Sequence, residues 1–224
     1  MSKKALLLIG SPKPGRSTSE VLGMYLIEEL KKREMQTTVF KLNQIFKTDQ
    51  GMDNLISSAD ECDVLILAAP LYVDSTPATV IRAMEVICQA RKGKNQQKNQ
   101  AMLAISNCGF PEAHQNQPAL DIYRCFAKEA GFQWAGGLAL GGGGSLDGKP
   151  LGSFGGMVKN VVKSLDLTVA AITEGHPIPD EAVRLMSKPL MPNWFYYMVG
   201  QIGWWFQARK YGAHRNLNDQ PYED

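Results

Sequence analysis

Five short runs rich in apolar residues recur at regular intervals in this 224-residue chain, at 5–9 (ALLLI), 37–42, 63–69 (DVLILAA), 101–106 and 134–140, and ALLLI and DVLILAA are apolar at nearly every position. A strand that alternates apolar and polar residues keeps one face in water, whereas a strand that is apolar throughout is buried on both faces. Such strands need helices on each side of their sheet. The segments between them carry helical periodicity, with Leu22, Leu26 and Leu30 four apart, and Val80, Met84, Ile87 and Cys88 following Pro77. Strand and helix alternate throughout, which predicts an α/β chain whose five strands form a doubly wound parallel sheet.

Composition agrees with a packed core, since 44% of the residues are hydrophobic and 21% charged, values that exclude disorder and low complexity. The pattern stops after Leu140 at GGGGSLDGKPLG, read as a flexible stretch, and helical segments resume near residues 153 and 180. The expected division is a sheet domain, 1–148, and a helical extension, 149–224, packed on it. Trp194, Phe195, Tyr196, Tyr197, Trp204, Trp205, Phe206, Tyr211 and Tyr222 place nine of the nineteen aromatics in the last 31 residues of this extension. The stretch WFYYMVGQIGWWF is shorter than the roughly 20 residues a membrane-spanning helix needs, and membrane contact is not expected. Phe195, Met198, Ile202, Trp205 and Phe206 recur at spacings of three and four. That spacing predicts a docked helix, serving a dimer interface or a wall of the active site.

The 24 Lys and Arg against 22 Asp and Glu leave a formal charge of +2 spread along the chain, so no nucleic-acid partner is expected. The four cysteines never form C-x-x-C and the three histidines never stand four apart, which removes the usual metal-site patterns. Free thiols without a recognisable leader point to the cytoplasm.

In an open parallel sheet, ligands bind beyond the carboxyl ends of the strands. The loop after the first strand, residues 10–20, reads GSPKPGRSTSE and brings Ser11, Lys13, Arg16, Ser17, Thr18 and Ser19 to the start of a helix. Unpaired N–H groups and the positive end of the helix dipole make that a phosphate-type anion site, although Ser17-x-x-Glu20 also fits a capping box alone. The loop after the third strand, with Pro70, Leu71, Tyr72, Val73 and Asp74, suits a flat apolar ligand, and Thr76-Pro77 suits the start of the next helix. The loop after the fourth strand offers Asn107, Cys108, Gly109 and Phe110: a side-chain amide, a thiol read as a small filler, a glycine permitting close approach and an aromatic.

A P-loop nucleotide kinase or NTPase is an alternative, with Gly10, Gly15, Arg16 and Ser17 at the loop's key places. Against it, Arg is not the compact point charge the phosphates need, Pro14 removes an N–H from the loop, and the third strand ends Ala68-Ala69-Pro70 without a Mg²⁺-holding acid.

GSPKPGRSTS, AAPLYVDSTPATVIRAMEVI and ISNCGF, in this order over roughly residues 4–145, resemble the phosphate loop, the P-x-Y loop with its helix, and the third flavin-contacting loop of the flavodoxin-like NAD(P)H-dependent FMN reductases and quinone reductases. The closely spaced cysteines by which some relatives hold an iron-sulfur cluster are missing. The resemblance implies strand order 2-1-3-4-5, FMN at the switch point, and a cytoplasmic homodimer. It also implies hydride transfer from NAD(P)H through FMN to a quinone, free flavin, azo compound or metal oxyanion. The flavin carries that chemistry, so no catalytic side chain is required, and backbone N–H groups from Tyr72 to Asp74 and at Cys108 and Gly109 are expected to face the ring. A flavodoxin-type electron carrier would share fold and cofactor, but such carriers resemble one another in strong acidity, which this chain lacks.

Overall fold

The computed structural model describes residues 2–93 and 99–220; Tyr222 lies outside the described residues. Five strands, β1 (Lys4–Ile9), β2 (Gln36–Lys41), β3 (Val64–Pro70), β4 (Ala101–Asn107) and β5 (Gln133–Leu140), form one sheet. All neighbours pair in parallel in the order β2-β1-β3-β4-β5. Each expected strand is present within a residue or two of its expected ends. The order places β1 and β3 side by side at the sheet centre, so the chain's winding reverses there and a crevice opens above their carboxyl ends.

Alternate residues of the apolar strands feed two separate cores. Leu7, Ile9, Ile66, Leu103 and Ile105 pack with Leu22 and Leu26 of α1 (Thr18–Lys32) on one face. Leu6, Leu8, Leu65, Leu67 and Met102 pack on the other face. Their partners there come from α3 (Asp49–Glu61), α4 (Ala78–Arg91) and α5 (Gln117–Glu129), the short α2 (Leu42–Ile45) closing that layer. Side chains alternate across a strand, so only strands apolar at every position satisfy both layers.

The first core also takes in α6 (Lys159–Glu174), through Val161, Leu165, Val169 and Ile172, and α7 (Asp180–Met186), through Ala182 and Met186. The compact sheet unit therefore runs through Leu190 rather than closing at residue 148, because the face of β5 and α1 left open by α3, α4 and α5 needs α6 and α7 to cover it. Met191–Asp224 form a second unit, built around α8 (Asn193–Lys210). In α8, Trp194 and Phe195 meet edge to face at 5.6 Å and Trp205 and Phe206 at 5.3 Å, while Arg209 lies over Trp205. No residue of α8 is buried.

Candidate functional site

Four loops meet above the carboxyl ends of the strands and line an open groove of about 230 Å³. The first contributes Ser11, Lys13, Ser17, Thr18 and Ser19; the second Pro70, Leu71 and Tyr72; the third Asn107, Cys108 and Gly109; the fourth Gly143, Gly144 and Asp147. Eleven of the fifteen residues singled out from the sequence thus line one groove. Arg16 is exposed and does not line it, nor do Val73, Asp74 and Phe110.

The loop after β5 was read as a flexible stretch ending the domain, and the structure corrects this. Gly142 adopts the left-handed conformation at φ +66°, its N–H donates to Phe110 O at 2.6 Å, and Gly143 N–H donates to Cys108 O at 2.8 Å. Gly148, at φ +71°, lies so close to the first loop that a Cβ would stand 2.1 Å from Arg16 O. Glycine is required there for the two loops to meet. The available signal was the rule already applied to the other strands, that ligands gather at carboxyl ends.

Many of the polar groups picked out from the sequence hold the groove together rather than opening into it. Thr18 Oγ1 donates to Gly143 O at 2.8 Å, and Asn107 Nδ2 donates to Ser19 Oγ at 2.7 Å and to Ala69 O at 3.2 Å. Cys108 N–H donates to Leu140 O and Tyr72 N–H to Ser75 O, so neither is the free donor expected from the sequence. Beneath the third loop, the fully buried Asn116 donates to Cys108 Sγ and Leu140 O and accepts from Ser106 Oγ. Burial pushes the Cys108 thiol up, which keeps it protonated at neutral pH and in the role of a filler.

What stays open is the start of α1. Ser17 Oγ caps the helix by accepting from Glu20 N–H at 3.1 Å, which leaves its own proton to donate. Glu20 pairs with Lys41 at 2.9 Å. Ser11 Oγ accepts from Lys13 N–H and likewise keeps a proton. Helix geometry leaves the N–H groups of Thr18 and Ser19 without acceptors inside the helix. Lys13 Nζ, the one cation lining the groove among the described residues, contacts Asp147 Oδ1 at 2.7 Å, and the Lys13 ammonium holds the Asp147 carboxyl below the usual range. At the other end, Pro70, Leu71 and Tyr72 form an apolar wall.

The second loop turns tightly. Val73 and Asp74 both take positive φ, +48° and +54°, and Tyr72 and Ser75 exchange N–H···O bonds at 3.0 Å. Thr76 does not cap α4; its hydroxyl pairs with the buried Tyr123 hydroxyl at 2.6 Å, anchoring the loop to α5. Among the described residues no three His, Cys, Asp or Glu side chains gather as metal ligands.

These features fit FMN. One end of the groove carries hydroxyl, amide N–H and ammonium donors for a terminal phosphate, and the other is apolar for a flat ring. Gly109 and Gly144 line the groove, and a Cβ on either would meet no atom within 4 Å, so the backbone there admits a close ligand.

Among solved structures the chain is similar to an FMN-dependent NADH-azoreductase from Bacillus anthracis in complex with FMN, at 14% identity and TM-score 0.56, over 76% of this chain and 99% of that one. An apo NADH:FMN oxidoreductase matches at 16% and 0.57, over 85% and 97%. The NAD(P)H:quinone oxidoreductase of Methanothermobacter marburgensis matches at 12% and 0.50, over 63% and 85%. At these identities the likeness establishes the fold. No curated protein matches the sequence. The family model of NADPH-dependent FMN reductases matches residues 3–127, which hold three of the four groove loops. With more than half of its length matched by that model, the chain belongs to the family of NADPH-dependent FMN reductases.

Proposed function

We propose that the chain binds FMN in the groove and passes hydride from NAD(P)H to a small acceptor such as a quinone, a free flavin, an azo compound or a metal oxyanion. The observation that carries this reading is the meeting, in one groove, of the open N-terminus of α1 with the apolar wall of Pro70, Leu71 and Tyr72. When bound, the flavin supplies the redox chemistry, accepting and releasing hydride at its ring.

The chain's own residues bind and orient. Ser11 and Ser17 donate their hydroxyl protons, and Thr18 and Ser19 their backbone N–H groups, to the phosphate, while Lys13 balances its charge. Leu71 and Tyr72 exclude water from one side of the ring. Asn107, Thr18 and Ser19 keep the loops at their separation without touching the reaction. A homodimer in the cytoplasm belongs to the same proposal; the four unpaired cysteines are in keeping with a reducing compartment.

Purified protein, incubated with FMN and freed of excess, is denatured by heat and its flavin identified by chromatography. Loaded protein is then exposed anaerobically to NADH and to NADPH while its visible absorption is followed. FMN recovery with bleaching is the expected result. FAD, or no flavin at all, overturns the reading, and stabilisation by ATP and Mg²⁺ without any by FMN replaces it with the P-loop alternative.

A further inference from the structure

The exposed surface of α8 calls for an occupant of its own, independent of the flavin reading. At 100° per residue, Phe195, Met198, Val199, Ile202, Trp205 and Phe206 fall on one face about 120° wide. All six are exposed, Phe206 to 62% and Ile202 to 48%. Gly203 and Gln207 lie to one side of this face, and Tyr197, Gly200 and Trp204 lie opposite it, so aromatic side chains stand on both sides of the helix. Isolated apolar side chains on a surface are ordinary, but a contiguous aromatic face of this size marks a docking site.

We propose that α8, with the turn that follows it, docks on the surface of an anionic lipid bilayer. Charge selects this occupant. Arg209 and Lys210 end the helix and Arg215 follows, while no Asp or Glu occurs anywhere from residue 182 to 218. Arg209 and Lys210 lie against the rings of Trp205 and Tyr211, so cations and aromatics share one end of the helix. A second copy of the chain is a poor fit, because a two-fold pairing would bring these cations against a helix without a carboxylate to receive them.

Depth is set by the same residues. The helix rises about 27 Å over its 18 residues, close to the thickness of a bilayer core, yet no helix among the described residues is long and apolar enough to cross one. Trp and Tyr rings prefer the headgroup level, and an aliphatic and aromatic face sinks about 5–10 Å into the boundary while Lys and Arg remain among the phosphates. The helix therefore lies along the interface.

The test uses the full chain with vesicles of phosphatidylcholine, with and without phosphatidylglycerol. Co-sedimentation is expected with the anionic vesicles, weakening as salt is raised, and with a blue shift of tryptophan emission, since three of the four tryptophans are Trp194, Trp204 and Trp205. Replacing Arg209, Lys210 and Arg215 together by Gln should lower partitioning about a hundredfold, and Trp205→Ser with Phe206→Ser should abolish it. All five positions are exposed, and far-UV circular dichroism reports that each variant remains folded. Full-length protein left in the supernatant with anionic vesicles overturns the proposal, as does a triple Gln variant that binds like the parent. Lipid-free self-association that shields the same tryptophans and is lost in the Ser variant assigns the face to a second copy instead.

Discussion

Asn107 Nδ2 donates to Ser19 Oγ at 2.7 Å, so the last residue of β4 holds the first turn of α1 across 88 residues of sequence. Its second bond, to Ala69 O at 3.2 Å, extends the tie to β3. Asn107→Leu keeps the bulk and strips both donors. It should cost about 1–3 kcal/mol through buried groups left unpaired, and it should weaken FMN binding by loosening two walls of the groove. A denaturant titration of the apoprotein beside an FMN titration checks both; unchanged affinity at reduced stability would confine Asn107 to the fold.

Lys13 and Asp147 compete with the phosphate for each other. Their ion pair is exposed, so its contribution is small. Asp147→Asn removes the competing carboxylate and should tighten FMN binding about two- to fivefold, whereas Lys13→Ala should weaken it. Fluorescence quenching of FMN measures both constants. An Asp147→Asn protein that binds FMN less well would show that the carboxylate orients Lys13 rather than occupying it.

Val73 is a β-branched residue held at φ +48° with its side chain 98% exposed. Left-handed backbone costs such a residue about 1–2 kcal/mol, and nothing packs on the side chain in return. Val73→Asn suits the two-residue turn between Tyr72 and Ser75 and should stabilise the protein by about 1 kcal/mol, read as a higher denaturant midpoint at an unchanged slope.

Burial pushes the Tyr123 hydroxyl up to about 12, with its hydrogen bond to Thr76 opposing the shift in part. In the unfolded chain the same group ionises near 10. The folded state therefore holds its proton longer, and this contribution is fully present below pH 10 and lost as the pH rises toward 12. It amounts to something on the order of 2 kcal/mol. Tyr123→Phe should flatten that alkaline loss while costing about 1 kcal/mol at neutral pH through the stranded Thr76 hydroxyl. Thermal melts between pH 8 and 11 compare the two proteins.

The sheet was legible because its information is local. A strand covered on both faces must be apolar at every position, whatever covers it, so ALLLI and VLILAA declare themselves, and the rule that ligands gather at carboxyl ends then picks out Ser11, Pro70 and Asn107. The capping role of Ser17 was equally local, three residues from its partner Glu20. What the sequence alone did not disclose is which donors are spent and which are free. Thr18 bonds Gly143 and Lys13 meets Asp147 across separations of 125 and 134 residues, and no periodicity encodes such pairings. The same holds for the glycine-rich loop after β5, whose positive-φ residues allow either a free linker or a tight turn. Only the packing of Gly148 against Arg16 makes it a wall of the groove. The boundary at Leu190 is also tertiary, because α6 and α7 join the sheet unit through the open face they cover. Helical periodicity in α8 was evident from its spacing, but a periodic apolar face states only that something must cover it, and the partner is set by charge and geometry beyond the helix itself.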